Sequence, residues 1–183
     1  MEIPIILTLL IFSLGFISGW IAITDLSKIN DKDLSNYKPK INFNFPTILT
    51  NNLKVIFLML AGVITFGLST FINLLFNGFN VGLLIGSTFL TKEPLKLIAG
   101  FILPHGIFEI PAMLISAAAG FKIPYKVTLY LLDKKEKPLT EEDIKDFLKL
   151  SFISIILIII AAFIEVYITP KIATYLLTNV RFK

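Results

Sequence analysis

The sequence predicts an all-α polytopic membrane helix bundle of four to five transmembrane helices, one of them short and glycine-rich and one broken by proline. Three observations lead there. Hydrophobic residues fill 55% of the 183 positions and the mean hydropathy is +0.81, well above the balance of a soluble domain. The excess is gathered into runs of about 20 residues, the length that carries a helix across a bilayer's hydrocarbon. Those runs also lack the polar face that a helix on a soluble domain presents to water. A single membrane domain over 1–183 accounts for the whole chain.

The first span is expected at about residues 3–24. Glu2 is the only charge before Asp25. With no basic lead and an apolar run longer than a signal peptide's h-region of roughly 7–15 residues, a retained span is expected. Within it Gly15-Phe-Ile-Ser-Gly19 is a small-xxx-small pattern that lets another helix backbone come close.

Residues 25–53 form a polar connection with Lys28, Lys32, Lys38 and Lys40, partly offset by Asp25, Asp31 and Asp33. Pro39 and Pro46 bracket Phe43 and Phe45, which suit a membrane interface. The second span is placed at about 54–76, where Gly62, Thr65, Ser69 and Asn73 recur at helical spacing. The apolar run over 78–90 that follows is short for a crossing of about 30 Å. It carries Gly78, Gly82 and Gly86 on one face, so a re-entrant or half-membrane helix is expected.

The third long run, about 95–120, holds Pro104-His-Gly-Ile-Phe-Glu-Ile-Pro111 near its middle. Proline cannot donate to the preceding turn, so a bend and freed carbonyls are expected around Pro104 and Pro111. Residues 121–147 read as a lysine-rich loop, ending in Thr140-Glu-Glu-Asp143, a capping box for the last helix. The last span, about 148–169, carries Glu165 and stops at Pro170. The lysine excess over 121–147 assigns that loop to the cytoplasm by the positive-inside rule. Four crossings then place 25–53 inside too, and five move the N-terminus inside; the lysines of the first connection favour four.

Charged or ionisable groups inside spans are costly, by about 2.5–3.5 kcal/mol at the helix centre, and usually face the bundle interior. His105 and Glu109 are four residues apart and share a helix face. Their expected role is to tie the broken segment to a neighbour through Asn73, Asn77 or Asn80. A proton or ion pathway ranks second. A metal site ranks third, because two ligands are one or two short, and Glu165 supplies another only if the last span packs beside this one.

Several function classes are excluded or disfavoured. There is no cysteine, hence no disulfide, thiolate metal site or cysteine nucleophile. No His-Glu-x-x-His, Gly-x-Ser-x-Gly or phosphate-loop motif occurs, and His105 is the only histidine. A net charge of +4 fits anionic headgroups beside the spans better than nucleic acid, since no basic face or stacking platform follows it.

Several stretches together resemble the stage II sporulation protein M family. They are Asn52-Leu-Lys54 with Gly62 and Gly67; Asn77-Gly78 with Gly82; Pro104-His-Gly-Ile-Phe-Glu-Ile-Pro-Ala112; Ala117-Ala-Ala-Gly120; and Ala161-Ala-Phe-Ile-Glu-Val-Tyr-Ile-Thr-Pro170. The resemblance makes Asn52, Asn77, Gly78, His105, Gly106, Glu109 and Glu165 the motif positions here and leans towards five spans. It implies a scaffold or anchor in a membrane complex whose hydrolytic partners do the chemistry. The expected function is therefore a non-enzymatic integral membrane scaffold of the cell membrane, needing no cofactor and no metal. Its expected partners are the bilayer, other membrane proteins and a second copy of the chain. A transporter or channel component is the alternative, and an intramembrane metal-dependent enzyme the third.

Overall fold

A computed structural model describes residues 2–29, 44–91 and 94–179. Lys32, Lys38, Pro39, Lys40 and Phe43 of the first connection lie outside them. Helix α1 covers Glu2–Ile29, with Glu2 placed to complement the positive end of its dipole. Helix α2, Phe45–Leu60, begins at an extended Asn44 with Pro46 in its first turn, where proline costs no hydrogen bond. It tightens into a 3-10 turn over Ala61–Val63. The chain then reverses through Phe66 (φ 53°) and Gly67 (φ 89°), left-handed conformations for which glycine pays no steric cost. The Gly67 N–H closes the turn by donating to the Gly62 carbonyl at 2.7 Å.

Helix α3, Leu68–Thr88, follows at once. The expected span at 54–76 is thus divided between two helices, and the glycine-rich stretch 78–90 is no half-membrane piece. Most of it forms the second half of a 21-residue helix long enough to cross. The apolar run concealed the division because the reversing residues Ile64, Phe66 and Gly67 are themselves apolar or small. The start of α2, in turn, carries Thr47, Thr50, Asn51 and Asn52, which read as a polar connection.

Four residues of helix α4, Pro94–Leu97, run into a π-helical stretch, Ile98–Ile102, and then into helix α5, Leu103–Leu131. Here the expected break is displaced. Leu103 N–H bonds to the Ile98 carbonyl, five residues back, and Pro104 has no N–H to give Gly100. The widened turn absorbs the proline. Pro111 and Pro124 sit inside a helix that continues past both. Because α5 reaches Leu131, Lys122 and Lys126 are helical, and the lysine-rich connection is shorter than 121–147. Helix α6, Glu141–Tyr167, opens on the expected capping box, with Thr140 Oγ1 accepting from Asp143 N–H. Helix α7, Thr169–Asn179, continues past Pro170.

Two tight pairs organise the packing. Helices α1 and α3 run parallel with their glycines against each other. A Cβ at Gly15 would run into the Leu75 carbonyl oxygen, one at Gly19 into that of Phe79, one at Gly78 into that of Phe12 and one at Gly82 into that of Phe16. Helices α5 and α6 are antiparallel and joined at their charged end by Lys122 with Asp146 and by Lys126 with Asp143 at 3.3 Å. Helix α2 packs against α3, α5 and α6. Ile56 and Met59 meet Ala112, Ala117 and Ile158 in the core. Five helices among the described residues are long and apolar enough to cross a membrane, and the fold is an all-α bundle.

Candidate functional site

The polar residues of α5 and α6 converge near the end of the bundle opposite the Lys122–Asp146 pair. One ligating atom from each of His105, Glu109 and Glu165 lies within 4.8 Å of the others. His105 and Glu109 are brought together by helical spacing alone, with Nε2 3.8 Å from Glu109 Oε2, too long for a direct hydrogen bond. Glu165 joins them because α6 returns antiparallel beside α5. It makes no hydrogen bond or ion pair among the described residues.

Two helix defects hold the histidine. The π-helical stretch lies one turn before it. On the other side α6 ends at Tyr167 and α7 begins at Thr169, which brings the Thr169 hydroxyl to 3.5 Å from His105 Nδ1. Thr169 is only 2% exposed, so its hydroxyl is aimed inward. Helix α7 is held against the π-helical stretch, where a Cβ on Gly100 would sit 3.0 Å from Ala173 Cα. His105 therefore faces Glu109 through one ring nitrogen and Thr169 through the other.

A cavity of about 190 Å3 opens beside the pair, lined by His105, Gly106 and Glu109 of α5 and by Asn77 and Asn80 of α3. Gly106 leaves room there, because a Cβ would meet only Ile102 Cγ2, at 3.8 Å. Asn73 is not part of the lining. Its amide donates to the Ser69 carbonyl at 2.9 Å, and the Asn77 amide donates to the Asn73 carbonyl at 2.7 Å. Both are bonds within one helix, so neither asparagine ties α3 to the histidine. Asn80 is exposed. Thr169, not an asparagine, is the hydrogen-bonding neighbour of His105, and only the close approach of α7 reveals it. Asn52 Nδ2, on α2, is buried with no hydrogen-bond partner among the described residues.

The structural glycines lie elsewhere. Gly15, Gly19, Gly78 and Gly82 build the α1–α3 seam, and Gly86 continues it against Ile23 and Trp20. Gly62 and Gly120 make room for Thr70, whose hydroxyl donates to the Met59 carbonyl at 2.6 Å.

The family model described as stage II sporulation protein M matches residues 8–170. An uncharacterised protein of Methanocaldococcus jannaschii is 86% identical over 178 residues, spanning 97% of this chain and 100% of that protein. A second uncharacterised protein of the same organism is 30% identical over 171 residues, 90% of this chain and 80% of its own length. No solved structure matches the chain.

Proposed function

From the premise that the chain belongs to the stage II sporulation protein M family, we propose that it is a non-enzymatic membrane scaffold that stabilises partner proteins. The observation that carries this reading is the fixed charged platform on one end of the apolar bundle. Asp143 anchors it, accepting from Lys135 at 2.6 Å while pairing with Lys126 and closing the Thr140 cap. Lys122 and Asp146 tie the adjoining turns. Lys134 and Lys137 stand exposed on that platform, available to an acidic partner surface. The seam glycines do not serve this purpose, since the chain uses them on itself.

A transporter or channel component is the second reading, favoured by the cavity beside His105 and Glu109. One reconstitution separates the two. A scaffold should leave proteoliposomes no leakier to protons or alkali cations than empty vesicles. In native membranes, Lys134→Glu with Lys137→Glu should abolish cross-links to neighbouring proteins, while Glu109→Gln keeps them. Flux above the empty-vesicle level that Glu109→Gln removes would reject the scaffold in favour of the pathway.

A further inference from the structure

The donor set at the polar centre is one imidazole nitrogen and two carboxylates, contributed by two helices. Nitrogen and oxygen donors together suit first-row divalent ions, whereas magnesium and calcium prefer oxygen alone. A tetrahedral ion with bonds of about 2.0–2.2 Å needs its donors about 3.3–3.6 Å apart. The three groups already lie within 4.8 Å, so closure needs side-chain adjustment of roughly 1 Å and no helix movement.

A second observation concerns the histidine's orientation. Metal-bound imidazoles commonly have their other ring nitrogen held by an oxygen. Here Nε2 faces Glu109 while Nδ1 faces the buried Thr169 hydroxyl. A third concerns charge. Among the described residues no lysine or arginine pairs with Glu109 or Glu165, although unpaired charge is costly in an apolar slab. A bound dication would balance both carboxylates. The cavity on the Asn77 side leaves room for water at the remaining coordination positions.

We propose that His105, Glu109 and Glu165 bind one divalent first-row metal ion, with Zn2+ the best fit, and that Thr169 is a positioning residue for the imidazole. The site fastens α5 to α6 at the end opposite the Lys122–Asp146 pair. It does not rest on the scaffold reading, because zinc content is read directly by elemental analysis, whereas the scaffold is tested through the exposed Lys134 and Lys137 at the other end of the bundle.

The test uses the full chain in mild detergent, carrying no polyhistidine tag, loaded with Zn2+ and then freed of excess by gel filtration. Elemental analysis should find one equivalent of zinc per chain. Co2+ loading should give a visible d–d absorption. Glu165→Gln should lose the zinc, and Thr169→Val should keep it with affinity weakened about tenfold. Asn73→Ala, whose amide bonds only within its own helix, should bind like the parent. Parent protein that holds no zinc after loading would overturn the proposal. So would a monodisperse Glu165→Gln protein that keeps a full equivalent. If Glu165→Gln does not stay monodisperse, parent loading and the Thr169→Val affinity decide.

Discussion

At the scale of single residues, the glycines fall into two kinds that look alike in sequence. Gly19 and Gly82 face backbone carbonyls that cannot move aside, whereas the nearest atom to a Cβ at Gly106 is a side-chain methyl at 3.8 Å. Gly82→Ala should therefore cost at least about 2 kcal/mol through overpacking. Gly106→Ala should instead be neutral or stabilising by up to about 1 kcal/mol, since it fills open space and removes a helical glycine. Thermal unfolding of both variants in detergent checks the contrast. Asp143 is a charged counterpart, in the turns of α6 that precede the apolar run. Burial works against its charge, yet hydrogen bonds from Lys135, Thr140 and Lys126 prevail and hold its carboxyl well below the usual carboxylate range. A lowered folded value stabilises above the unfolded value and is lost as pH falls through the folded one. The destabilisation by Asp143→Asn should accordingly be full at pH 7 and shrink below about pH 4. Melting curves of variant and parent across that range measure it.

At the scale of elements, the sequence was most legible where local chemistry is self-contained. The Thr140 capping box, the His105–Glu109 spacing and the glycine repeat were all visible, because each lies within one turn or one helix. The reversal between α2 and α3 was not. Its signal is one left-handed glycine, Gly67, among apolar neighbours, and hydropathy treats a tight apolar turn as more helix. The π-helical displacement of the Pro104 break was hidden for a related reason, since sequence shows which N–H is missing but not where the helix widens. Thr169 was hidden too, because its contact depends on how α7 docks. The reversal makes its own prediction. Thr70 Oγ1 clamps α3 to the end of α2 through the Met59 carbonyl, in a gap that Gly62 and Gly120 keep open. Thr70→Val keeps the volume and removes the side-chain donor to that carbonyl, so it should cost about 1 kcal/mol or more. Thr174→Val, at an exposed hydroxyl that donates only within α7, should cost far less in the same unfolding measurement.

At the scale of the whole molecule, the glycine seam and the polar centre depend on one topology. Parallel α1 and α3, with α5 and α6 antiparallel, require five crossings. The N-terminus and the α5–α6 connection then share a face, and α7 lies on the other. This arrangement also explains why charge was a poor guide. Lys122, Lys126, Lys134, Lys135 and Lys137 gather at one face, while Lys96 and Lys171 belong to the other, so the positive-inside bias is divided. The chain's lack of cysteine makes the most direct test clean. Single substitutions Glu2→Cys, Lys137→Cys and Tyr175→Cys, each at an exposed position, would be probed with a membrane-impermeant maleimide in vesicles of known sidedness. The five-span bundle predicts that positions 2 and 137 label from the same face and position 175 from the opposite one. Labelling of positions 2 and 137 from opposite faces would mean four crossings, and would contradict both the α1–α3 seam and the placement of α3 beside the polar centre.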